Sequence, residues 1–385
     1  MMNHDVTIAF CVFQLAFLLL DTIILLKTGR DIARKGEYTW FGALVCTHMV
    51  YLVLNSIWTL KEYDLLDIHR TAMTAISTVS LWTVTNCATS FFLFVMERKQ
   101  IQCLRTGIGR WLRQLPAAVT TVLIAISPWT GLVFRISEEG YLVHGPVYLP
   151  TVLISSLYLL AVAVIACVNM IRERTSALRK ANGVLLGSVL IILLFIAADS
   201  MFLKASILPA AIFAVILIIF ITMQEESINS DALTGMNNRR KAEGYLTELL
   251  TRVSEENPAY LYIADLNGFK KINDTYGHIE GDDALILCSR ALKRTAAQYD
   301  GFAARYGGDE FLMAWQPARD RDADPEALVR DASRYLEEQS TGKPYKMEIC
   351  VGYARCADPG TPLSACIRQA DEMLYERKEA VQAGR

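Results

Sequence analysis

Seven apolar runs occupy the chain up to about Met223, and they constrain its fold more than any other feature. They are Val6–Leu26, Trp40–Leu60, Thr71–Met96, Leu115–Phe134, Val147–Met170, Val184–Leu203 and Ser206–Met223. At 1.5 Å per residue, a helix over each reaches across much or all of a hydrocarbon core of ~30 Å. One such run is compatible with a buried core helix or a signal peptide, but seven in series are not. The first also lacks a basic segment before it and a small-residue cleavage site after it, so it reads as an anchor. These spans carry most of the 53% hydrophobic content of the 385 residues. Residues 1–223 are therefore expected to form an all-α transmembrane bundle in the lipid bilayer.

The cations between the runs set an orientation. Lys27, Arg30, Arg34 and Lys35 follow the first run; Arg98, Lys99, Arg105, Arg110 and Arg113 follow the third; Arg172, Arg174, Arg179 and Lys180 follow the fifth. The other connectors carry only Lys61, Arg70, Arg135 and Lys204. The positive-inside rule then places the amino terminus outside and everything beyond the seventh run in the cytosol. Of the polar residues in the runs, Asp21 and Asp199 are expected near span ends, within reach of water. His48 and Asn55 lie deeper, where an interhelical hydrogen bond is favoured over a ligand or proton role. A retinal receptor is disfavoured because Ser206–Met223 holds no lysine. The nine cysteines show no Cys-x-x-Cys pair or zinc-like spacing, and the net charge of −2 excludes little.

Beyond Met223 charges are frequent and apolar runs short. Residues 224–230 contain neither Pro nor Gly, so the last helix is expected to continue as a stiff connector into a domain over 231–385. There, Asp231–Arg240 reads as a turn, followed by an amphipathic helix to about Ser254. Ala259–Asp265 reads as a buried strand, Asp282–Ala297 as a helix, and Phe302–Arg305 with Glu310–Trp315 as a hairpin. Asp324–Gln339 reads as a helix, Lys346–Ala354 as a strand and Leu363–Ala380 as a final helix. Strands and helices alternating around one hairpin predict an α/β sandwich of ferredoxin-like type.

The hairpin turn is Arg305-Tyr306-Gly307-Gly308-Asp309-Glu310-Phe311. Glycine permits the tight turn, and two carboxylates follow at once. With Asp265 at the end of a neighbouring strand, Asp309 makes a pair suited to Mg²⁺ whose shell is completed by substrate phosphates. Lys270 is placed to neutralise phosphate. Asn273 and Asp282 offer an amide and a carboxylate, a pair able to read the ring N–H and amino group of guanine. Asp282 also suits a helix N-cap, and Lys378 suits the end of the last helix. No Walker-A sequence is present.

Several separated blocks agree in order and spacing with one family. They are Asp231-x-Leu233-Thr234-Gly235 with Asn238-Arg239, Asp265…Phe269-Lys270…Asn273-Asp274…Gly277-His278…Gly281-Asp282, the hairpin above, and Ala370-Asp371…Leu374-Tyr375…Lys378. From Asp231 to about Lys378 the chain resembles a GGDEF domain, the diguanylate cyclase family, with its palm-type sandwich. The resemblance implies that two domains face each other as a homodimer, through the domain and the connector helix. Each would hold one GTP, yielding cyclic di-GMP and two pyrophosphates.

By position, Asp265, Asp309 and Glu310 match the family's catalytic acids, and these three with the Leu266 carbonyl match its ligands for Mg²⁺ or Mn²⁺. Asn273 and Asp282 match the guanine readers. Phe269, Lys270, Gly307, Gly308 and Lys378 match further substrate contacts. Asp231, Asn238 and Arg239 are expected to fix the start of the domain. Two departures stand out. The window of the family's Arg-x-x-Asp product-inhibition site reads Gln298-Tyr299-Asp300-Gly301, and Gln382 replaces an arginine on the last helix. The expectation is a cyclase of the bacterial cytoplasmic membrane, regulated by a seven-helix sensor for an unknown ligand, with no nucleic-acid partner. The alternatives are a catalytically silent nucleotide-binding receptor and a transporter with a regulatory module.

Overall fold

The computed structural model describes residues 4–32, 36–99, 101, 107–172, 176–202, 206–318 and 324–383. The chain divides into two compact units, Met1–Thr222 and Met223–Arg385.

The first unit holds α1 (His4–Ile32), α2 (Gly36–Glu62), α3 (Arg70–Arg98), α4 (Ile108–Thr130), α5 (Tyr148–Arg172), α6 (Ser176–Phe202) and most of α7 (Leu208–Asn229). Six of these helices are long and apolar enough to cross a membrane, and α4 is not among them. The expected fourth span, Leu115–Phe134, is cut short at Thr130. There Gly131 turns left-handed at φ +66°, and its N–H caps the Ser127 carbonyl. Phe134–Ile136 leaves the helix altogether as β1, pairing antiparallel with β2 (Leu142–His144). The uncharged part of α4 from Leu115 spans about 24 Å, and two prolines, Pro116 and Pro128, lie within the helix. The loop cations Arg34, Lys35, Arg105, Arg174 and Lys204 lie outside the described residues.

Asp21 does not reach water. It is 0% exposed, and its Oδ2 lies 2.7 Å from His48 Nδ1. His48 Nε2 lies 3.0 Å from the Pro209 carbonyl, so one imidazole joins α1, α2 and α7. A helix buries side chains along a stripe running its whole length, and Asp21 falls on the stripe that packs against α2. Asp199 accepts from the Ser206 hydroxyl and, at 2.8 Å, from the Ile207 N–H just ahead of α7.

In the second unit α7 runs on to Asn229, through most of the segment expected as a connector. After a turn, α8 (Arg239–Leu250) starts on the Asn238 side chain, which accepts from Lys241 N. The remaining elements are β3 (Ala259–Leu266), α9 (Phe269–Tyr276), α10 (His278–Gln298), β4 (Phe302–Gly307), β5 (Glu310–Trp315), α11 (Pro325–Gln339), β6 (Ile349–Cys356) and α12 (Leu363–Ala383). The sheet order is β4-β5-β3-β6 with antiparallel neighbours, the split arrangement expected of a ferredoxin-like sandwich.

Central strand β3 alternates perfectly between two cores. Tyr260, Tyr262, Ala264 and Leu266 pack with α10 and α11 on one face. Leu261 and Ile263 pack with α8 and α12 on the other. Burial on both faces explains why β3 reads as a continuous apolar run ending in Asp265. Helix α10 begins at His278, four positions before Asp282, so Asp282 is an exposed residue of the helix body and not its N-cap. The short α9 was unforeseen because Gly268 and Gly277 leave it only eight residues, although Phe269, Ile272 and Tyr276 recur at helical spacing.

Candidate active site

The β3–β5 register brings the acidic residues together. Asp265 sits directly opposite Glu310, so the two side chains leave the same face of the sheet. The next N–H along, that of Leu266, donates to the Asp309 carbonyl at 3.3 Å. The turn between β4 and β5 places Gly308 at φ +36°, a conformation that glycine adopts at little cost.

Arg305 holds this turn in place. Its Nε and Nη2 donate to the Gly308 carbonyl at 2.9 and 2.7 Å, while Nη1 pairs with Asp231 at 3.1 Å. Asp231 accepts in turn from Thr234 N and Oγ1 at 2.8 and 2.7 Å. Burial alone pushes the Asp231 carboxyl up, but these hydrogen bonds and the Arg305 charge outweigh it and hold the group below the usual carboxylate range. The Asp231 block thus anchors the signature turn from the side away from the acids. Arg305 carried no role in the sequence reading. Its signal was position, a cation placed ahead of a Gly-Gly turn that leaves a carbonyl in need of a donor.

Lys378 arrives from α12, with Nζ 2.8 Å from Asp265 Oδ2. It faces the acids, and the reading of it as a mere helix-end charge falls away. Burial pushes the Asp265 carboxyl up; Lys378 pulls it down, and Asp309 and Asp371 push it up again. Glu310 is raised by burial first and then by Asp265, Asp309 and Asp371, with Lys378 opposing. The result is a concentration of negative charge offset by one lysine. Asp371, which had only marked a motif, contributes to that field. Its spacing of seven from Lys378 puts both on one face of α12.

Helix α12 reaches this position because β6 carries Gly352. A Cβ there would lie 2.2 Å from the Ala370 carbonyl oxygen and 2.3 Å from Leu374 N. Between α9 and α10, a Cβ on Gly281 would lie 1.9 Å from Asn273 Oδ1 and 3.3 Å from the Phe269 ring. That contact sets the Asn273 amide beside the residue preceding Asp282. Phe269 itself packs against the core, and Lys270 is exposed. The structure thus gathers Asp265, Leu266, Asp309, Glu310 and Lys378 in one place and Asn273 with Asp282 in another, on the two helices that follow β3. The Gln382 side chain lies outside the described residues. Arg377, next to Lys378 on α12, is committed elsewhere, to the Val351 carbonyl at 2.9 Å and to Glu326. Among the described residues no group of three or more His, Cys, Asp or Glu side chains forms a ready-made metal cage.

Residues 228–383 match the protein-family model "Diguanylate cyclase, GGDEF domain". An "Uncharacterized 19.3 kDa protein in repSA 5'region" of Streptomyces ambofaciens is 32% identical over 160 residues, covering 41% of this chain and 82% of that protein. "Diguanylate cyclase DgcZ" of Escherichia coli is 35% identical over 153 residues, covering 39% of this chain and 50% of that protein. A crystallised sensory box/GGDEF family protein of Caulobacter crescentus CB15 is 31% identical, covering 40% of this chain and 99% of that one, with TM-score 0.34. The chain spans only 19 to 34% of the length of several other curated signalling proteins that it matches. Through residues 228–383, the chain belongs to the GGDEF family of diguanylate cyclases.

Proposed function

We propose that the protein is a membrane-bound diguanylate cyclase, condensing two GTP to cyclic di-GMP and two pyrophosphates under control of its membrane unit. The observation that carries this reading is the meeting of Asp265, Asp309 and Glu310 at paired strand ends with Lys378 against them. Acids held together against their own repulsion fit a hard divalent cation that takes the rest of its shell from phosphate, as Mg²⁺ or Mn²⁺ does. Asp265, Asp309, Glu310 and the Leu266 carbonyl would hold it. Such an ion supplies charge neutralisation at the α-phosphate and lowers the pKa of the attacking hydroxyl.

The chain's own groups do the rest. Asn273 accepts from or donates to the guanine edge, and Asp282 accepts from the ring N–H and amino group. Lys378 exchanges its bond to Asp265 for phosphate oxygens when nucleotide arrives. Phe269 and Lys270 occupy the first turn of α9, where backbone N–H groups lack intrahelical acceptors and suit phosphate. Gly307 and Gly308 leave the turn bare of side chains, so nucleotide can approach its backbone. Since one site holds one nucleotide, turnover needs a second copy facing it, and the two copies of α7 would set that meeting. The decisive assay supplies purified full-length protein with GTP and Mg²⁺. Cyclic di-GMP should form, and Asp309→Ala should lower the rate at least a thousandfold; equal rates would end the enzyme reading.

Product inhibition of the family's usual kind is not expected. Gln298 and Tyr299 bond Asp331 of α11 at 2.8 and 2.9 Å, and the window offers no basic side chain. Added cyclic di-GMP should leave the initial rate unchanged, and a strong fall in rate would refute this. For topology, we take α4 as a seventh crossing despite its short apolar part. Only then do the basic loops after α1, α3 and α5 share one side, with the amino terminus opposite the cytosolic cyclase. A reporter fused to the amino terminus that is active only in the cytosol would reverse that assignment.

A further inference from the structure

A half-open cavity of about 840 Å³ lies between α2, α3, α5, α6 and α7 of the first unit. We propose that it is a binding site for an uncharged, mostly apolar small molecule bearing a carbonyl-type hydrogen-bond acceptor. The wall is built by period. Tyr51, Asn55 and Trp58 of α2 and Ser77, Val84 and Phe91 of α3 recur at spacings of three, four and seven, so each helix turns one continuous face inward. Most of that wall is aliphatic or aromatic, and none of the described lining residues is Lys or Arg. The one carboxylate in the wall, Asp199, is already held by Ser206 and by the Ile207 N–H. The one imidazole in the wall, His144, is stacked on the Tyr148 ring, with centroids 3.7 Å apart, and burial holds it below the usual histidine range, so it is neutral near pH 7.

Two polar groups remain unmatched. Asn55 is 4% and Ser77 2% exposed, yet Asn55 Nδ2 and Ser77 Oγ have no hydrogen-bond partner, and both residues line the cavity. Buried donors are ordinarily paired, and an amide N–H₂ can only donate. Its missing partner is therefore an acceptor. Water alone fills such a space poorly, because an apolar cavity stays dry away from its few polar groups. The size matches pockets that enclose small organic ligands. Acceptor atoms bonded to Asn55 and to the hydroxyl of Ser77, with an apolar body filling the remainder, supply what these two groups lack.

The test needs no enzymatic turnover, so its outcome is separate from that of the cyclase reading. Full-length protein in phosphatidylcholine nanodiscs is irradiated with benzophenone, an uncharged photoreactive ketone, and the adducts are mapped by peptide mass spectrometry. Adducts should concentrate on the inward faces of α3 and α5. Unlabelled diphenylmethane, which lacks the carbonyl, should compete about tenfold less well than a non-photoreactive diaryl ester of similar size. Asn55→Leu, close in shape and apolar, should erase that preference, and Ser77→Ala should weaken it. Even labelling of outward residues such as Phe13 and Leu19, unchanged by either variant, would mean simple partition into lipid and overturn the proposal. So would a co-purifying phospholipid that keeps benzophenone out of the cavity.

Discussion

The two units place their polar and apolar side chains in opposite ways. In the first, large apolar residues such as Phe13, Leu19, Leu160 and Leu194 face outward, while Gln14, Asp21, His48 and Asn55 are buried. In the second, the exposed large apolar residues among those described are only Ile228, Tyr276, Ile279 and Tyr375, and the buried polar ones are only Thr234, Ser289 and Thr295. The inversion follows from the solvent. Hydrocarbon rewards no apolar burial, so helices there are held by close packing and internal hydrogen bonds. Water rewards apolar burial at about 25 cal/mol per Å², so the second unit spends its sequence on two dry cores and leaves charge at the strand ends. Chemistry is accordingly concentrated at an edge in one unit and enclosed within the other.

Four experiments would break or sharpen this contrast. The largest effect is expected where the cores of the second unit tolerate no extra volume. Gly352→Ala drives a methyl into the α12 backbone, and should destabilise the second unit by about 3 kcal/mol while withdrawing Lys378 and Asp371 from the acids. Denaturant titration of the full chain would show it, and an unchanged midpoint would mean that α12 packs otherwise. Gly281→Ala meets only the end of the Asn273 side chain, which can swing aside. The fold should survive, and the KM for GTP should rise about tenfold, the cost of one weakened contact.

In the membrane unit, the Asp21–His48 pair should be worth only about 1 kcal/mol in a double-mutant cycle with Asp21→Asn and His48→Gln, as interhelical polar contacts in bilayers usually are. A coupling several times larger would show that this unit relies on polar bonds more than its packing implies. The smallest effect concerns the acids themselves. Burial and like charge raise the Asp265 and Glu310 carboxyls, so the folded state binds their protons more tightly than the unfolded chain. Their ionisation therefore costs stability as pH rises from the ordinary carboxylate range through the raised values. Without Mg²⁺ at neutral pH, Glu310→Gln should melt about one or two degrees higher than wild type. The gap should close on acidification, and a gap that widened would reverse the sign of the argument.

Much of the site was legible because its parts are local. A strand ending in Asp265 and a Gly-Gly turn before Asp309 each follow from short-range patterning, and a hairpin beside a central strand has few other places to go. Lys378 was matched by spacing to a phosphate contact, but its ion pair with Asp265 joins residues far apart in the chain, which no periodicity encodes. Asp282 was misjudged as a cap because Gly277, with no capping side chain, starts α10 four residues sooner. Asp21 was misplaced because α1 runs on to Ile32, past the apolar run that ends at Leu26, and because which side of α1 meets α2 depends on packing.

The seven apolar runs thus determined by length and composition that this chain would have a helical unit apart from its GGDEF domain. Backbone groups in hydrocarbon must bond within their own segment, and that requirement is written residue by residue. Only the tertiary structure decided that the fourth run stops at Gly131, that Lys378 meets Asp265, and that Asn55 and Ser77 are left unpaired around an 840 Å³ cavity. Those outcomes depend on which helix faces pack together, and that is a property of the assembled chain.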